Sequence, residues 1–279
     1  MISGHTELYG VLGHPVAHSL SPAMHNAAFE AVGIDAAYVA LPVAPEALPE
    51  ALRGAHALGF RGLNVTVPHK QRAAELCQAL DETARLCGAA NTLRRAASGW
   101  EGFNTDAPAC RDLAQAAGAE PGQRALVLGA GGAALAGAWA LLALGLEVRV
   151  AARRREAAVA VASRLSAAFP RAPAVAAVAW DAAGGEAERA HVLLQATSVG
   201  LAGAAPGTLP ASPRRGQLAI DFVYGDTGFA RAARATGATL VTGEQLLLRQ
   251  GALAFTLFTG RPAPEPVMAR ALAAAPRAP

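Results

Sequence analysis

Lysine is nearly absent from this chain of 279 residues. Lys70 is the single lysine among 24 Lys and Arg residues, so every other basic position is arginine. An arginine guanidinium stays protonated in any protein environment, whereas a lysine ammonium can lose its proton when its surroundings are tuned. The one titratable basic amine lies in the segment NVTVPHK, residues 64–70. It is either a catalytic lysine or a surface lysine without a special purpose.

Asparagine, aromatic residues and charge are also scarce. Three of the four asparagines lie in short polar clusters, at Asn64, Asn91 and Asn104. Aromatic residues make up 5% of the chain, the net charge is only +3, and no basic helix is visible. This composition excludes a nucleic-acid-binding stripe. A hydrophobic content of 53% with 16% charged residues indicates a soluble globular protein with ample core.

Cysteine is limited to three residues, Cys77, Cys87 and Cys110. They form no CxxC pair and leave one thiol over, which is typical of reduced thiols in a cytoplasmic protein. No signal peptide is visible at the N-terminus. We therefore expect a cytoplasmic location.

The sequence also disfavours a metal-binding protein and a membrane-spanning protein. The histidines His14, His18 and His25 have no usual metal-ligand spacing, so no metal site is expected. Residues 125–146 contain no charge and have the length of a membrane span. Gly129, Gly131, Gly132 and Gly137 interrupt this stretch, however, and its first residues read as a strand. We therefore expect no membrane partner.

Strand-like and helix-like segments alternate, which predicts an α/β fold with mainly parallel sheets. In the first half we predict strands at 8–13, 37–43, 62–67 and 91–94, and helices at 22–32, 45–58 and 68–80. Ser21 is predicted to cap the first helix. A second series has strands at 125–128, 147–151, 174–178, 192–196, 218–222 and 239–241, followed by a helix over 243–260. The tail after Arg261 is expected to be loosely held.

The alternation restarts at a glycine-rich turn, so we predict two domains. One α/β domain spans residues 1–106 and is completed by residues 243–279. A second α/β domain spans residues 107–242, with a cleft between the two.

The segment from Leu126 to Ala134, LVLGAGGAA, reads as a strand, a glycine-rich turn and a helix. Such a turn lets the backbone approach a pyrophosphate, and the helix N-terminus supplies free N–H groups and a positive dipole. The spacing G-x-G-x-x-A in this context predicts a dinucleotide site. A tight turn between buried elements is the alternative.

The next strand indicates which dinucleotide binds. An NAD site usually carries a carboxylate at the end of that strand, but this chain has Arg153, Arg154 and Arg155 there. Guanidinium groups suit a 2′-phosphate. The sequence therefore favours NADP(H), with a solvated helix start as the alternative.

The polar cluster around Lys70 suits acid–base chemistry. Lys70 could deliver a proton to a carbonyl as hydride arrives from a nicotinamide. A neighbouring Asp106 would favour its charged form, and burial would oppose it. Asn64, Thr66 and Asn91 could bond substrate hydroxyls, or else serve as turn and capping residues.

The ordered motifs resemble shikimate dehydrogenases over roughly residues 9–260. The matching segments are GHPVAHSLSPAMHN at 13–26, GLNVTVPHK at 62–70, GAANTL at 88–93, GFNTD at 102–106, GAGGA at 129–133, ATSVG at 196–200 and QGALAF at 250–255. The resemblance implies NADPH-dependent, reversible reduction of 3-dehydroshikimate to shikimate in aromatic amino-acid biosynthesis. It also implies a monomer or homodimer that works with small molecules alone.

The resemblance also implies roles for the domains and for single residues. Residues 1–106 with 243–279 would form the substrate-binding and catalytic domain, and residues 107–242 the Rossmann-type NADP-binding domain. Lys70 and Asp106 would form the catalytic pair. The substrate-binding residues would be Ser19, Ser21, Asn64, Thr66, Asn91, Tyr224 and Gln250. The cofactor-binding residues would be Gly129, Ala130, Gly131, Gly132, Ala133, Arg153, Arg154, Thr197, Phe222 and Gly243.

The chain departs from the family pattern in four places. Ala152-Arg153-Arg154 replaces Asn-Arg-Thr, Gln195 replaces the asparagine of the usual NATS segment, the loop after Tyr224 is shorter, and Ala107 replaces a glycine. Two alternatives stay open. One is a quinate/shikimate dehydrogenase with broader substrate or NAD use. The other is a non-catalytic NADP-binding regulator, which should have lost Lys70 or Asp106.

Overall fold

The computed structural model describes residues 2–171, 173–200 and 207–276. The chain divides into two compact units. Unit 1 comprises Met1–Thr105 and Leu247–Pro279, and unit 2 comprises Asp106–Leu246. Each unit contains one six-stranded sheet.

Unit 1 begins with alternating strands and helices. Its strands are β1 (Glu7–Gly13), β2 (Ala36–Pro42), β3 (Gly62–Val65), β4 (Ala79–Leu80), β5 (Thr92–Ala96) and β6 (Gly99–Phe103). Its first helices are α1 (Ser21–Ala31), α2 (Leu48–Ala57), α3 (Lys70–Leu76) and α4 (Glu82–Cys87). The strand order is β2-β1-β3-β5-β6-β4. Strands β1, β2 and β3 are parallel, whereas β5 runs antiparallel to both β3 and β6.

Unit 2 has the doubly wound arrangement of a Rossmann fold. Its strands are β7 (Arg124–Leu128), β8 (Glu147–Ala151), β9 (Val175–Val178), β10 (Val192–Gln195), β11 (Leu218–Asp221) and β12 (Thr239–Val241). Its helices are α5 (Asp106–Ala116), α6 (Gly132–Ala143), α7 (Arg155–Ala168), α8 (Ala183–Arg189) and α9 (Gly228–Thr236). All strand pairs are parallel, in the order β12-β11-β10-β7-β8-β9. Counted from β7, this is the 3-2-1-4-5-6 order of dinucleotide-binding sheets.

Two helices close the chain, α10 (Gly243–Thr259) and α11 (Glu265–Ala274). Within unit 1, α11 packs against α1, and Met268 is fully buried. The predicted loose tail is therefore wrong, because apolar residues on α11 complete the core of this unit. The alanine-rich composition concealed that short amphipathic pattern.

Both faces of the unit 1 sheet are covered, which explains its apolar strands. On one face, Leu63, Leu93 and Trp100 belong to the cluster that includes Leu48 and Leu52 of α2. On the other, Tyr9 and Val11 pack with Phe29 and Phe255. The central strands are thus held rigidly from both sides, and their ends make a stable base for polar groups.

The predicted elements differ from the structure at several ends. The helix predicted over 68–80 stops at Leu76, and residues 79–80 form β4 instead. The helix predicted over 45–58 opens as a separate 3-10 turn at Pro45–Ala47. Strand β6 was not predicted, because its glycines weaken the strand pattern. Within the described ranges, no helix is both long and apolar enough to cross a membrane.

Candidate active site

The carboxyl ends of β1 and β3 lie side by side in unit 1. A Cβ atom at Gly13 would lie 2.5 Å from the Thr66 methyl carbon, so only glycine allows this approach. The Thr66 N–H donates to the Leu12 carbonyl at 2.8 Å. Thr66, a predicted substrate-binding residue, is therefore held at the sheet edge where parallel α/β folds bind ligands.

The segment leading to Lys70 is anchored by His69. The His69 side chain is 2% exposed, and its Nε2 lies 2.7 Å from the Val43 carbonyl oxygen. The His69 N–H also donates to the Thr66 carbonyl at 2.9 Å. Lys70 is partly buried and begins α3, and its carbonyl accepts the Ala90 N–H at 2.9 Å. The backbone that carries the candidate catalytic amine is thus fixed on both sides.

A buried polar network lies next to this segment. Asn64 Nδ2 donates to the Asn91 carbonyl at 3.1 Å and to Thr92 Oγ1 at 3.0 Å. Asn91 Oδ1 accepts the Thr105 N–H at 2.7 Å. All four side chains are at most 6% exposed. Because buried polar groups left unpaired are costly, a satisfied network of this kind holds its members in one geometry.

Gln250 joins the same network from α10. Its Oε1 accepts from Asn91 Nδ2 and from Thr105 Oγ1, each at 3.3 Å, while its Nε2 donates to the Leu247 carbonyl at 3.0 Å. The structure therefore brings three predicted substrate-binding residues, Asn64, Asn91 and Gln250, into one connected set.

Two members of the network were not anticipated from the sequence. Thr92 and Thr105 are buried threonines, each directly following an asparagine in GAANTL and GFNTD. Their hydroxyls lie 3.2 Å apart. The repeated Asn-Thr pair could have revealed them. In each pair a scarce asparagine precedes a threonine, whose hydroxyl can both donate and accept a hydrogen bond.

Ser19 and Ser21 lie in the loop after β1 and at the start of α1. The predicted N-cap role of Ser21 is wrong: Leu20 is the N-cap residue, and Ser21 occupies the first helical position. The Ser21 N–H is instead directed to Ser19 Oγ at 3.3 Å. The Ser21 side chain is 6% exposed. Its hydroxyl is therefore not engaged with the helix backbone as a cap.

Asp106 and Tyr224 belong to unit 2. Asp106 is the first residue of α5, and burial together with the Asp106 carboxylate raises the pKa of the Cys110 thiol one turn later. A thiol with a raised pKa stays protonated and unreactive. Tyr224 follows β11 and is 41% exposed.

The glycine-rich turn of unit 2 follows β7. Gly129 has φ +118°, and a Cβ atom there would lie 2.6 Å from the Ala196 carbonyl oxygen. Gly131 is the N-cap of α6, and a Cβ atom on it would meet nothing within 4 Å. Ala130 completes the turn, and Gly132 and Ala133 are the first two residues of α6. Open space thus lies over a helix N-terminus whose free N–H groups suit an anion.

Two arginines lie beside this turn. Leu128 of β7 pairs with Ala151 of β8, and the Gly129 N–H donates to the Ala151 carbonyl at 2.8 Å. Arg153 and Arg154 come directly after β8 and are exposed. The carboxyl end of β8 therefore carries cations next to the glycine-rich turn, where a carboxylate would stand in an NAD site.

Three predicted cofactor residues remain. Thr197 follows β10, Phe222 follows β11, and Gly243 begins α10. Thr197 is held by Gln195, whose Oε1 accepts both its N–H at 2.7 Å and its hydroxyl at 2.9 Å. The Phe222 N–H donates to the Gln195 carbonyl at 2.9 Å. A Cβ atom at Gly243 would lie 2.6 Å from the Val223 carbonyl oxygen, so glycine is needed there. Gln195 thus orients two of the three residues.

Asp221 supports the same edge and was also not anticipated. It is 1% exposed, and it accepts the Val223 N–H at 3.0 Å and the Thr227 hydroxyl. Burial raises the pKa of its carboxyl group, and these hydrogen bonds oppose that shift. Asp221 therefore fixes the loop that carries Phe222 and Tyr224.

Two family descriptions match the chain. "Shikimate dehydrogenase substrate binding domain" covers residues 11–93, and "Shikimate 5'-dehydrogenase C-terminal domain" covers residues 243–273. The chain is 64% identical over 274 residues to the shikimate dehydrogenase (NADP(+)) of Anaeromyxobacter sp. strain K, covering 98% of both chains.

Solved structures of two relatives are also similar. The shikimate 5-dehydrogenase of Thermus thermophilus, in complex with NADP(H) and shikimate, is 38% identical with a TM-score of 0.83, over 96% of this chain and 99% of that one. The quinate dehydrogenase of Corynebacterium glutamicum, in complex with NAD, is 30% identical with a TM-score of 0.84, over 97% and 99%.

Proposed function

Because the chain belongs to the shikimate dehydrogenase family, we propose that it catalyses the reversible, NADPH-dependent reduction of 3-dehydroshikimate to shikimate. This is a step in the biosynthesis of aromatic amino acids. The observation that carries the proposal is the Asn64–Asn91–Gln250 network beside the anchored Lys70. A polyhydroxylated ring needs several directional donors and acceptors, and a network of buried amides supplies them.

Lys70 is the proton donor in this proposal. As the substrate carbonyl accepts hydride, its oxygen becomes basic and takes a proton from the ammonium group, and Asp106 favours the charged form of that group. In the reverse direction the neutral amine accepts the hydroxyl proton. Arginine cannot perform this exchange, because its guanidinium does not release a proton at working pH.

The other predicted substrate residues orient the ring. The hydroxyls of Ser19 and Ser21, with Tyr224, hold the substrate carboxylate, and Thr66, Asn91 and Gln250 bond the ring hydroxyls. Asn64 acts mainly through the network, since both of the hydrogen bonds from its Nδ2 go to protein atoms. Fixed donors of this kind stabilise developing charge without reorganising during the reaction.

NADPH would supply the hydride when it is bound. Gly129, Gly131 and the N-terminus of α6 would hold its pyrophosphate, and Arg153 and Arg154 would bind the 2′-phosphate through charge-assisted hydrogen bonds. Thr197, Phe222 and Gly243 would also contact the cofactor. The arginines at the end of β8 favour NADP over NAD, even though Ala152 and Arg154 depart from the family pattern.

Two alternatives make different predictions. A quinate/shikimate dehydrogenase that uses NAD should carry an acidic residue after β8, where this chain has Ala152 and Arg153. A non-catalytic NADP-binding regulator should have lost Lys70 or Asp106, and this chain has both.

The setting in the cell is part of the proposal. We place the enzyme in the cytoplasm as a monomer or homodimer that works without nucleic acid or a membrane. Free thiols at Cys77, Cys87 and Cys110 agree with a reducing compartment. Cell fractionation and the molar mass in solution test these two statements.

The decisive experiment crosses shikimate and quinate with NADP and NAD, following nicotinamide absorbance. We expect the highest kcat/KM for shikimate with NADP. Turnover that is equal or higher with quinate and NAD would favour the broader enzyme, and no turnover with any pair would favour the regulator.

A further inference from the structure

Tyr38 and Tyr9 are neighbouring buried tyrosines with different partners. They are paired in the register of β1 and β2, and their side chains are 1% and 2% exposed. The Tyr9 hydroxyl bonds Glu7 at the amino end of β1, at 3.0 Å. The Tyr38 hydroxyl donates to Asn64 Oδ1 at 2.7 Å, inside the network beside Lys70.

The direction of the Tyr38 bond follows from the bonds of Asn64. The Asn91 backbone carbonyl can only accept, so the Asn64 atom 3.1 Å from it must be the amide nitrogen. The opposite atom of the carboxamide is then the oxygen, and it needs a donor. The Tyr38 hydroxyl is that donor. Its bond of 2.7 Å is shorter than the bonds from Asn64 Nδ2 to the Asn91 carbonyl and to Thr92 Oγ1, which measure 3.1 and 3.0 Å.

Tyr38 also reaches the candidate carboxylate-binding loop. The Ser21 side chain lies near the Tyr38 hydroxyl, close enough to oppose the rise in its pKa that burial causes. Tyr38 thus interacts with both Ser21 and Asn64, two residues that the sequence places 43 positions apart.

The Tyr38 ring is held in place by its surroundings. It stacks on His25, with ring centroids 4.4 Å apart and planes 5° from parallel. His25 is itself completely buried. A stacked, enclosed ring has one available orientation, so its hydroxyl is a fixed donor rather than an adaptable one.

From these contacts we infer that Tyr38 is a positioning residue for the reduction: its hydroxyl sets the orientation of the Asn64 carboxamide beside Ser21, and so aligns the groups that hold the substrate. This inference rests on the proposed function. Tyr38 transfers no proton, because burial raises the pKa of its hydroxyl far above working pH. Its effect should therefore appear as a loss of substrate alignment at all pH values.

The test compares Tyr38→Phe with the matched control Tyr9→Phe. Each change removes one buried hydroxyl and keeps the ring, so the two variants should lose similar thermal stability. We expect Tyr38→Phe to lower kcat/KM for shikimate about tenfold, mainly through KM, which corresponds to roughly one hydrogen bond. The Kd for NADP and the shape of the pH–rate profile should stay unchanged, and Tyr9→Phe should keep wild-type kinetics.

A double-mutant cycle with Asn64→Ala identifies the route of the effect. If Tyr38 acts through Asn64, adding Tyr38→Phe to Asn64→Ala should change kcat/KM less than about twofold, because coupled residues are not additive. Full additivity, an unchanged KM in Tyr38→Phe, or an equal rise in KM in Tyr9→Phe would each overturn the inference. A wild-type protein that fails to oxidise shikimate with NADP would instead refute the proposed function.

Discussion

Asn91 and Gln250 lie 159 residues apart in the sequence, and Asn91 Nδ2 donates to Gln250 Oε1 at 3.3 Å. The bond joins the residue before β5 to the middle of α10. It makes the last long helix part of the candidate substrate site, although most of that site comes from residues before Asp106. Any account of catalysis must therefore include the C-terminal part of unit 1.

Lys70 can be tested by replacing its amine. Lys70→Met should lower kcat by at least about a hundredfold and leave KM within about twofold, because a group that acts in the transition state is removed. Lys70→Arg should be nearly as damaging, since the guanidinium does not release a proton. Steady-state kinetics with shikimate and NADP measure both changes.

The matched control for this prediction is Arg72→Ala on the same helix. Arg72 is exposed and pairs with Glu75, so its loss should leave kcat and KM near wild type. Near-normal turnover in Lys70→Met would show that another group supplies the proton.

The sequence predicted much of this site because its scarce residues mark it. Lys70, Asn64 and Asn91 stand out in a chain made mostly of alanine, glycine, leucine and arginine. Gly129 and Gly131 could be predicted for a physical reason, since a tight strand-to-helix turn needs glycine. The parallel sheet of unit 2 could be predicted from the regular alternation of strands and helices.

Long-range side-chain contacts could not be predicted in the same way. Tyr38 looked like an ordinary strand residue, because nothing local shows that its hydroxyl reaches Asn64. The prediction that Ser21 caps α1 was wrong because the helix starts one residue earlier than the Ser-Pro pattern indicated. Helix α11 was missed because its few apolar residues become informative only once α1 lies against them.

Variants at two glycines of the glycine-rich turn should affect folding and cofactor binding separately. Gly131→Ala should fold normally, because its Cβ atom would meet nothing within 4 Å at an ordinary φ of −84°. The added methyl group would project into the space proposed for the pyrophosphate, so the Kd for NADP should rise about tenfold or more. Calorimetric titration measures the Kd, and thermal unfolding measures Tm.

Gly129→Ala is the contrasting variant. Its backbone φ of +118° and the 2.6 Å approach to Ala196 make a methyl group costly, so the free energy of unfolding should fall by about 2 kcal/mol or more. If Gly131→Ala bound NADP as tightly as wild type, the pyrophosphate would lie elsewhere.

Arg153 should determine the preference between cofactors. Arg153→Ala removes a guanidinium next to the glycine-rich turn, so NADP affinity should fall about tenfold, while NAD affinity changes less than about twofold. Arg189→Ala is the control, because Arg189 is an exposed arginine that pairs with Glu186 on α8. Equal losses for both cofactors would contradict a 2′-phosphate role for Arg153.

His25 should make the stability of the chain depend on pH. Its ring is fully buried, stacks on Tyr38, and has no hydrogen-bond partner for either nitrogen among the described residues. Burial lowers its pKa from 6.5 to about 3. The unfolded chain therefore takes up a proton below about pH 6.5 that the folded chain refuses, so stability present above that pH is lost as the pH falls.

Between pH 7 and pH 5 this single group should lower the free energy of unfolding by about 2 kcal/mol. Denaturant unfolding at the two pH values measures the total loss, to which carboxyl groups also contribute. His25→Leu removes only the histidine contribution, so the variant should lose about 2 kcal/mol less than wild type between pH 7 and pH 5, whatever its stability at pH 7. An identical loss in both proteins would mean that the folded protein accepts a proton on His25, and that the imidazole reaches water or a partner by local opening of unit 1.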